Sequence, residues 1–292
     1  MGIGKDNDSA DDVRATCDWR DRLQLGLGEH MELLAKVVAG EDATPHEMRF
    51  DLIKHGPRSV CLIVEVSGHS RFLKLFDGQT GDDAYQREKK ALFAMQSSGL
   101  VPKLCAFSDP CRFILTEVLS QDEITNRESM DDPEWTGRNV GEWVAKYDAA
   151  APWEPACGNW YGYFSKFGAS LALDVDKDAP DRLLSIPLCG RGLAHNDPAL
   201  HNYLLTDAGV LVGCDFEHAM MRPRGWDYLI TYQALIERYA EQATTALEAF
   251  ADAFARFHKG ALIVDELNTL ARTLYCAQAL AGQKQSEAVT WR

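Results

Sequence analysis

No apolar run in the 292-residue chain reaches the ~18 residues that a membrane-spanning helix needs. The opening stretch, Met1-Gly2-Ile3-Gly4-Lys5-Asp6-Asn7-Asp8, has no apolar core, so no signal peptide is expected. Gly2 invites lipidation, but Asp6 stands where that motif needs Ser or Thr. Basic residues are scarce: 30 Lys+Arg against 44 Asp+Glu give a net charge of −14. Such a chain repels phosphate backbones, which argues against a general nucleic-acid binder. It favours cationic small molecules, and polyphosphates only through a local site or a metal ion. None of the eight cysteines forms a C-x-x-C pair, and they are expected to be reduced core thiols of a cytoplasmic protein. Internal repeats and low-complexity tracts are absent too. What is present is ordinary globular composition, 46% hydrophobic and 25% charged, so a packed core is expected. The length suits one large domain or two lobes.

Residues 1–15 are polar and acidic and read as a flexible tail. Trp19 to Val38 has apolar residues at three- and four-residue spacing and reads as a helix. The period then changes. Met48–Lys54, Val60–Val66 and Arg71–Phe76 read as strands of an antiparallel meander joined by short turns. A helix over Asp83–Ser97 and strands at Lys103–Phe107 and Arg112–Val118 complete a first lobe, 16–119. The remainder, 120–292, reads as mostly helical: Val140–Ala150, Trp226–Phe257 and Ile263–Leu280, with a charged loop at Asp174–Arg182 and one β-hairpin. The expected fold class is α+β, a small antiparallel sheet lobe followed by a larger helical lobe, with the boundary near Leu119-Ser120-Gln121-Asp122.

The densest polar cluster in an apolar setting lies between Gly192 and Asp227. Strands at Tyr203–Leu205 and Val210–Cys214 pair across a short turn. Asn202 enters this hairpin and Asp215 leaves it, so both fall at its open end, with Asp197 on the loop just before. Two carboxylates and an amide oxygen are hard ligands that suit Mg²⁺ on a nucleotide. The pattern divides the labour: Asp197 takes the proton of an attacking hydroxyl, and Asn202 and Asp215 hold metal. Any one of these residues alone would be read as a turn cap; the three together favour function. His195 is assigned a structural hydrogen-bonding role, and His201 and His218 a peripheral one.

The first lobe offers an independent check. Strand alternation puts Lys74 on the face of Phe72 and Phe76, and helical spacing puts Glu88 on the face of Tyr85, Leu92 and Met95. Two opposite charges on buried faces of consecutive elements should pair, which in a phosphotransferase positions the lysine on phosphates. The alternative is two side chains that reach out to solvent.

At these residues the sequence resembles the choline/ethanolamine kinase and aminoglycoside phosphotransferase superfamily, which has a two-lobed protein-kinase-like fold. Its H-x-D-x-x-x-x-N loop is met by His195, Asp197 and Asn202. The runs His195-Asn196-Asp197, Asp215-Phe216-Glu217 and Arg224-Gly225-Trp226-Asp227 are similar to those of the choline/ethanolamine branch. The resemblance implies an ATP- and Mg²⁺-dependent phosphotransferase acting on a hydroxyl of a small molecule. The implied acceptor is a cationic amino alcohol such as choline or ethanolamine, or an aminoglycoside. It further implies that Lys74 and Glu88 serve ATP, that Gly56 and Ser59 belong to the phosphate loop, and that Glu117 and Val118 hold adenine at the interlobe hinge. Asp227 would brace the catalytic loop, while Glu217 and Trp226 would lie toward the acceptor. The phosphate loop has one glycine, with no G-x-G-x-x-G.

Trp160, Tyr161, Tyr163, Trp226 and Tyr228 could form an aromatic wall for a quaternary ammonium, or could simply be core. Two other functions stay open on the residues. A metal-dependent hydrolase would use His195, Asp197, His201, Asp215 and His218, and would leave Lys74 and Glu88 without a task. A nucleotide-binding pseudokinase scaffold would be expected to have lost one of Lys74, Asp197, Asn202 or Asp215.

Overall fold

Three successive strands of alternating apolar residues, with a helix behind them, organise the first part of the chain. The computed structural model describes residues 20, 23, 27–119, 132–166, 186–197, 199–206, 208–258 and 262–275. The expected tail, the Asp174–Arg182 loop and residues 120–122 at the expected boundary lie outside them. The chain divides into two units, Met1–Leu119 and Ser120–Arg292.

In the first unit, helix α1 (Met31–Ala39) precedes β1 (Arg49–His55), β2 (Ser59–Val66) and β3 (His69–Phe76). Helix α2 (Gly78–Met95), β4 (Leu104–Ser108) and β5 (Phe113–Thr116) follow. All strand pairs are antiparallel, in the order β1-β2-β3-β5-β4. The pleat sorts β3 cleanly. Leu73 and Leu75 join Leu34 and Val38 of α1 in one buried cluster with Val60, Leu62 and Val64 of β2. Their neighbours Lys74 and Phe76 therefore point to the opposite face, where Phe76 meets Tyr85 of α2 with ring centroids 5.7 Å apart. α2 begins five residues before the expected start, running through Gly78 and Gly81, whose low helix propensity hid it.

The second unit is mainly helical. Helix α3 (Pro133–Ala150) is followed by β6 (Trp153–Glu154), α4 (Trp160–Lys166) and β7 (Arg191–Ala194). Then come β8 (Tyr203–Leu205), β9 (Leu211–Gly213), β10 (Met220–Pro223), α5 (Trp226–Tyr239) and α6 (Ala243–Phe257). Residues 264–275 are also helical. The expected hairpin is β8–β9, with Tyr203 opposite Gly213. A second sheet, β10-β7-β6, was not expected; its strands have two to four residues, too short to show an alternation.

Two helix expectations need correction. α3 starts at Pro133 rather than Val140: Asp132 Oδ1 accepts the Glu134 and Trp135 amides, and proline follows at the first helical position. The stretch read as one helix, Trp226–Phe257, is broken by a turn at Ala240–Gln242, where Ala240 has φ 45°. Neither Gly nor Pro marks that break. The cysteines also depart from expectation. None of the six described is bridged, but only Cys61 and Cys111 are buried, and Cys105 and Cys157 are exposed.

Glycines set the packing of α3. A Cβ on Gly137 would land on the carbonyl oxygen of Ala246, and one on Gly141 on that of Phe250, so α3 and α6 touch backbone to backbone. On the same helix, Trp143 covers Gly213 of β9 so closely that a Cβ there would overlap the indole. Gly137→Ala and Gly213→Ala should each cost about 1–3 kcal/mol through overpacking. Gly56→Ala, which meets only Ser59 O at 3.7 Å, should stay within about 0.5 kcal/mol of wild type. Chemical denaturation of the three variants checks this.

Candidate active site

In the first unit, Lys74 Nζ donates to Glu88 Oε2 at 2.7 Å, with both residues almost fully buried, at 4% and 5% exposure. The ammonium also lies 5.0 Å from the Phe76 ring centre. The expected pair is thus formed, and burial excludes the alternative of two solvated side chains. Such a carboxylate partner offsets much of the cost of burying an ammonium group.

The other first-unit candidates are placed less favourably. Gly56 closes the β1–β2 turn by donating its amide to Ser59 O at 2.9 Å, and its φ is not left-handed, so the turn does not demand glycine there. Ser59 opens β2 opposite Phe76 and is buried. The Glu117 amide is already spent on Lys103 O at 3.1 Å, and its carboxylate accepts the Lys103 amide at 2.9 Å. That amide is therefore no donor to adenine. Its carbonyl accepts the Thr116 hydroxyl at 3.2 Å and retains a second lone pair. Val118 is half-buried just beyond β5.

In the second unit, one bonded frame carries the motif. Asp227, near the N-terminus of α5, accepts the backbone amides of His195 at 2.8 Å and Asn196 at 2.9 Å. Burial pushes the Asp227 carboxyl upward, against the pull of His195 and of those two amides. His195 Nε2 lies 2.8 Å from the Cys214 carbonyl, which can only accept, so this nitrogen carries the proton. Nδ1 is then free to accept the Asp197 amide at 3.3 Å. Asn202 O accepts the Cys214 amide at 2.7 Å, which ties the two ends of the hairpin together next to Asp215. Asp197 Oδ1 accepts the Ala199 amide at 3.2 Å and is half-buried. His195 thus bonds through both ring nitrogens; His201 is exposed, and His218 is half-buried and 3.5 Å from Glu217.

Two residues of this frame have left-handed backbone without being glycine: Asn196 at φ 64° and Asp215 at φ 61°. Asn and Asp tolerate that region best, yet it still stores strain, which tends to collect at sites of function. Beneath the loop sits an aromatic pedestal. Trp143 packs edge-on to Tyr203 at 5.0 Å and to His195 at 5.9 Å, and Phe216 meets His195 at 4.5 Å.

The donor set can hold a hard cation. Asn202 is 2% exposed, yet its side-chain nitrogen has no hydrogen-bond partner. The ends of an amide are told apart only by their hydrogen bonds, so its unpartnered end can equally be the carbonyl oxygen, a donor type that suits Mg²⁺. Among the described residues no three His, Cys, Asp or Glu side chains gather into a metal-binding group, as the hydrolase alternative would need.

The expected aromatic wall is only partly assembled. Tyr228 is fully buried against Phe250 and Phe254, away from the loop, because it lies on the inner face of α5. Tyr163 and Phe164 do meet Trp226, at 6.0 and 6.2 Å, and Trp160 packs behind them, 2% exposed. Sequence reasoning did not single out Asp148 or His258, and gave Arg224 no partner. Asp148 accepts from Arg224 Nη2 at 2.7 Å, from the Gly225 amide at 3.2 Å and from His258 Nε2 at 2.9 Å. This network ties the ends of α3 and α6 to the turn before Asp227. The Arg224-Gly225 run was visible, but nothing in the sequence linked it to Asp148, 76 positions away.

The first unit carries a five-stranded antiparallel sheet, and the second is a mainly helical unit in which the loop from His195 to Asn202 leads into a short hairpin. No family model and no curated protein matches the chain. Solved structures do. Macrolide 2'-phosphotransferase MphH from Brachybacterium faecium aligns with TM-score 0.57 at 15% identity, over 90% of this chain and 94% of that one. Plasmodium vivax ethanolamine kinase aligns with TM-score 0.53 at 14% identity, over 85% and 78%. Choline kinase LicA from Streptococcus pneumoniae, also solved with AMP, aligns with TM-score 0.51 at 12% identity, over 92% of each chain. The chain therefore has the fold of these kinases.

Burial alone would raise the Asp148 carboxyl, but the His258 hydrogen bond and the Arg224 charge outweigh it and hold the group below the usual carboxylate value. A lowered folded value stabilises fully above about pH 4 and is lost as the pH falls through it. Asp148→Asn should therefore cost about 3 kcal/mol at pH 7, with the gap to wild type closing in acid. Denaturation at pH 7 and pH 3 measures both.

Proposed function

We propose that the chain is an ATP-dependent phosphotransferase acting on a hydroxyl of a small molecule. The reading is carried by one observation: His195 and Asn202 both bond to Cys214, so Asp197, Asn202 and Asp215 ride on one frame. The fold shared with choline, ethanolamine and macrolide kinases supports it. So does the buried Lys74–Glu88 pair, which gives the first unit an ammonium suited to phosphate oxygens.

Asn202 and Asp215 are the residues to hold Mg²⁺, and Lys74, oriented by Glu88, is the one to meet nucleotide phosphates. Bound Mg-ATP supplies the phosphoryl group and neutralises its charge. Asp197 orients the acceptor hydroxyl and accepts its proton as the new O–P bond forms and the γ-phosphoryl leaves ADP. The half-exposed position of Asp197 suits a group that must meet substrate. His195 fixes the loop through both ring nitrogens. Burial of Asp227 leaves it as a brace for two amides rather than a reactant.

Asp197→Ala should lower kcat by roughly 10²–10⁴-fold while Mg-ATP binding persists. Asp215→Ala and Lys74→Ala should instead weaken Mg-ATP binding, read by calorimetry. Wild-type turnover in Asp197→Ala, or unchanged nucleotide affinity in Asp215→Ala, would overturn the assignment.

A further inference from the structure

From its β10 side the Asp197 loop is hydrogen-bonded by a cation. Arg222 donates Nε–H to Asn196 Oδ1 at 3.3 Å and Nη1–H to the Tyr163 hydroxyl at 2.9 Å. Its guanidinium lies 5.0 Å from the Trp226 ring centre. Trp226 in turn donates Nε1–H to the same Asn196 oxygen at 2.7 Å, and Asn196 Nδ2 donates to His218 O at 3.1 Å. Asn196 immediately precedes Asp197 and holds a left-handed backbone. Arg222 is thus one residue removed from the proposed base, on a rigid support of three neutral side chains.

All these contacts are neutral. Among the described residues Arg222 has no carboxylate within ion-pair distance, although the chain carries 14 more acidic than basic residues. The other arginine of this turn, Arg224, two positions on, is paired with Asp148. A half-buried guanidinium that spends Nε–H and one Nη1–H still carries its charge and the Nη2–H donors, which suit an anion. The same geometry works against a cation. The Trp226 ring, which a quaternary ammonium would seek, already bears the Arg222 charge, and a second positive group there would meet like-charge repulsion.

We propose that Arg222, supported by Asn196, Tyr163 and Trp226, is an acceptor subsite that recognises a carboxylate or phosphate on the molecule to be phosphorylated. The acceptor class is a short hydroxy acid or a phosphorylated polyol, because its hydroxyl must reach Asp197 while its anion reaches a guanidinium one residue away. The class rests on the proposed phosphotransfer, but the anion subsite is testable without it.

Ligand-observed NMR titrations on the wild type and Arg222→Gln, without nucleotide, compare four probes. These are 3-hydroxybutyrate for the carboxylate arm, glycerol 3-phosphate for the phosphate arm, and choline and glycerol as cationic and neutral references. The expected result is that at least one anion binds the wild type more tightly than either reference, and at least tenfold more weakly in Arg222→Gln. Arg222→Lys keeps the charge but loses the fork, and should bind that anion severalfold more weakly; it also serves if the Gln variant does not fold. No anion binding, equal anion binding by wild type and variants, or tighter binding of choline overturns the subsite. Mg-ATP titrated into the same wild-type protein judges the phosphotransferase reading separately: its failure there would sink that reading while leaving the anion result to stand on its own.

Discussion

A single buried carboxylate organises the second unit. Asp227 takes the amides of His195 and Asn196, which have no sheet partner once β7 ends at Ala194. A buried backbone donor left unmet costs about 1–3 kcal/mol, so the loop adopts its path because this acceptor is there. The carboxylate itself suffers from burial, as its raised pKa reflects. Two amides and the neighbouring His195 offset that cost. Given this anchor, the His195 ring is aimed at Cys214, and the hairpin end carrying Asn202 and Asp215 is joined to the loop carrying Asp197.

The strain in the loop is sustained by what lies under it. Asn196 and Asp215 keep left-handed φ values because the surroundings over-determine them. Trp143, Tyr203 and Phe216 fix the His195 ring from three sides. Trp143 reaches that position only because Gly213 has no side chain and because α3 sits against α6 through Gly137 and Gly141. Close helix contact, aromatic pedestal and loop geometry are thus successive consequences of a few positions where nothing larger fits.

What could be read from the sequence followed from regular periodicity and from local spacing. The five strands of the first unit were legible because alternation persists over four to eight residues, and the Lys74–Glu88 pair because strand and helix periods both place charges inward. The loop was legible because His195, Asp197 and Asn202 lie within eight positions of one another. The sheet β10-β7-β6 was not, since its strands are shorter than the pattern that would reveal them. Nor was the Asp148–His258 bond, whose partners are 110 positions apart. The aromatic wall misled for a related reason. Composition places Tyr228 near Trp226, but a helix turns by 100° per residue, and two steps carry Tyr228 into the core.

Charge illustrates the difference between composition and contact most clearly. A net −14 predicts attraction of cations at long range, but in physiological salt such a field fades over about 8 Å. Arg222 lies 5.0 Å from the Trp226 ring centre, inside that length and in a half-buried setting where screening is weak. At such short range a local formal charge outweighs the distant sum. Net charge bears on long-range approach; beside the Asp197 loop, the Arg222 guanidinium bonded to Asn196 is a local charge of the opposite sign to that sum.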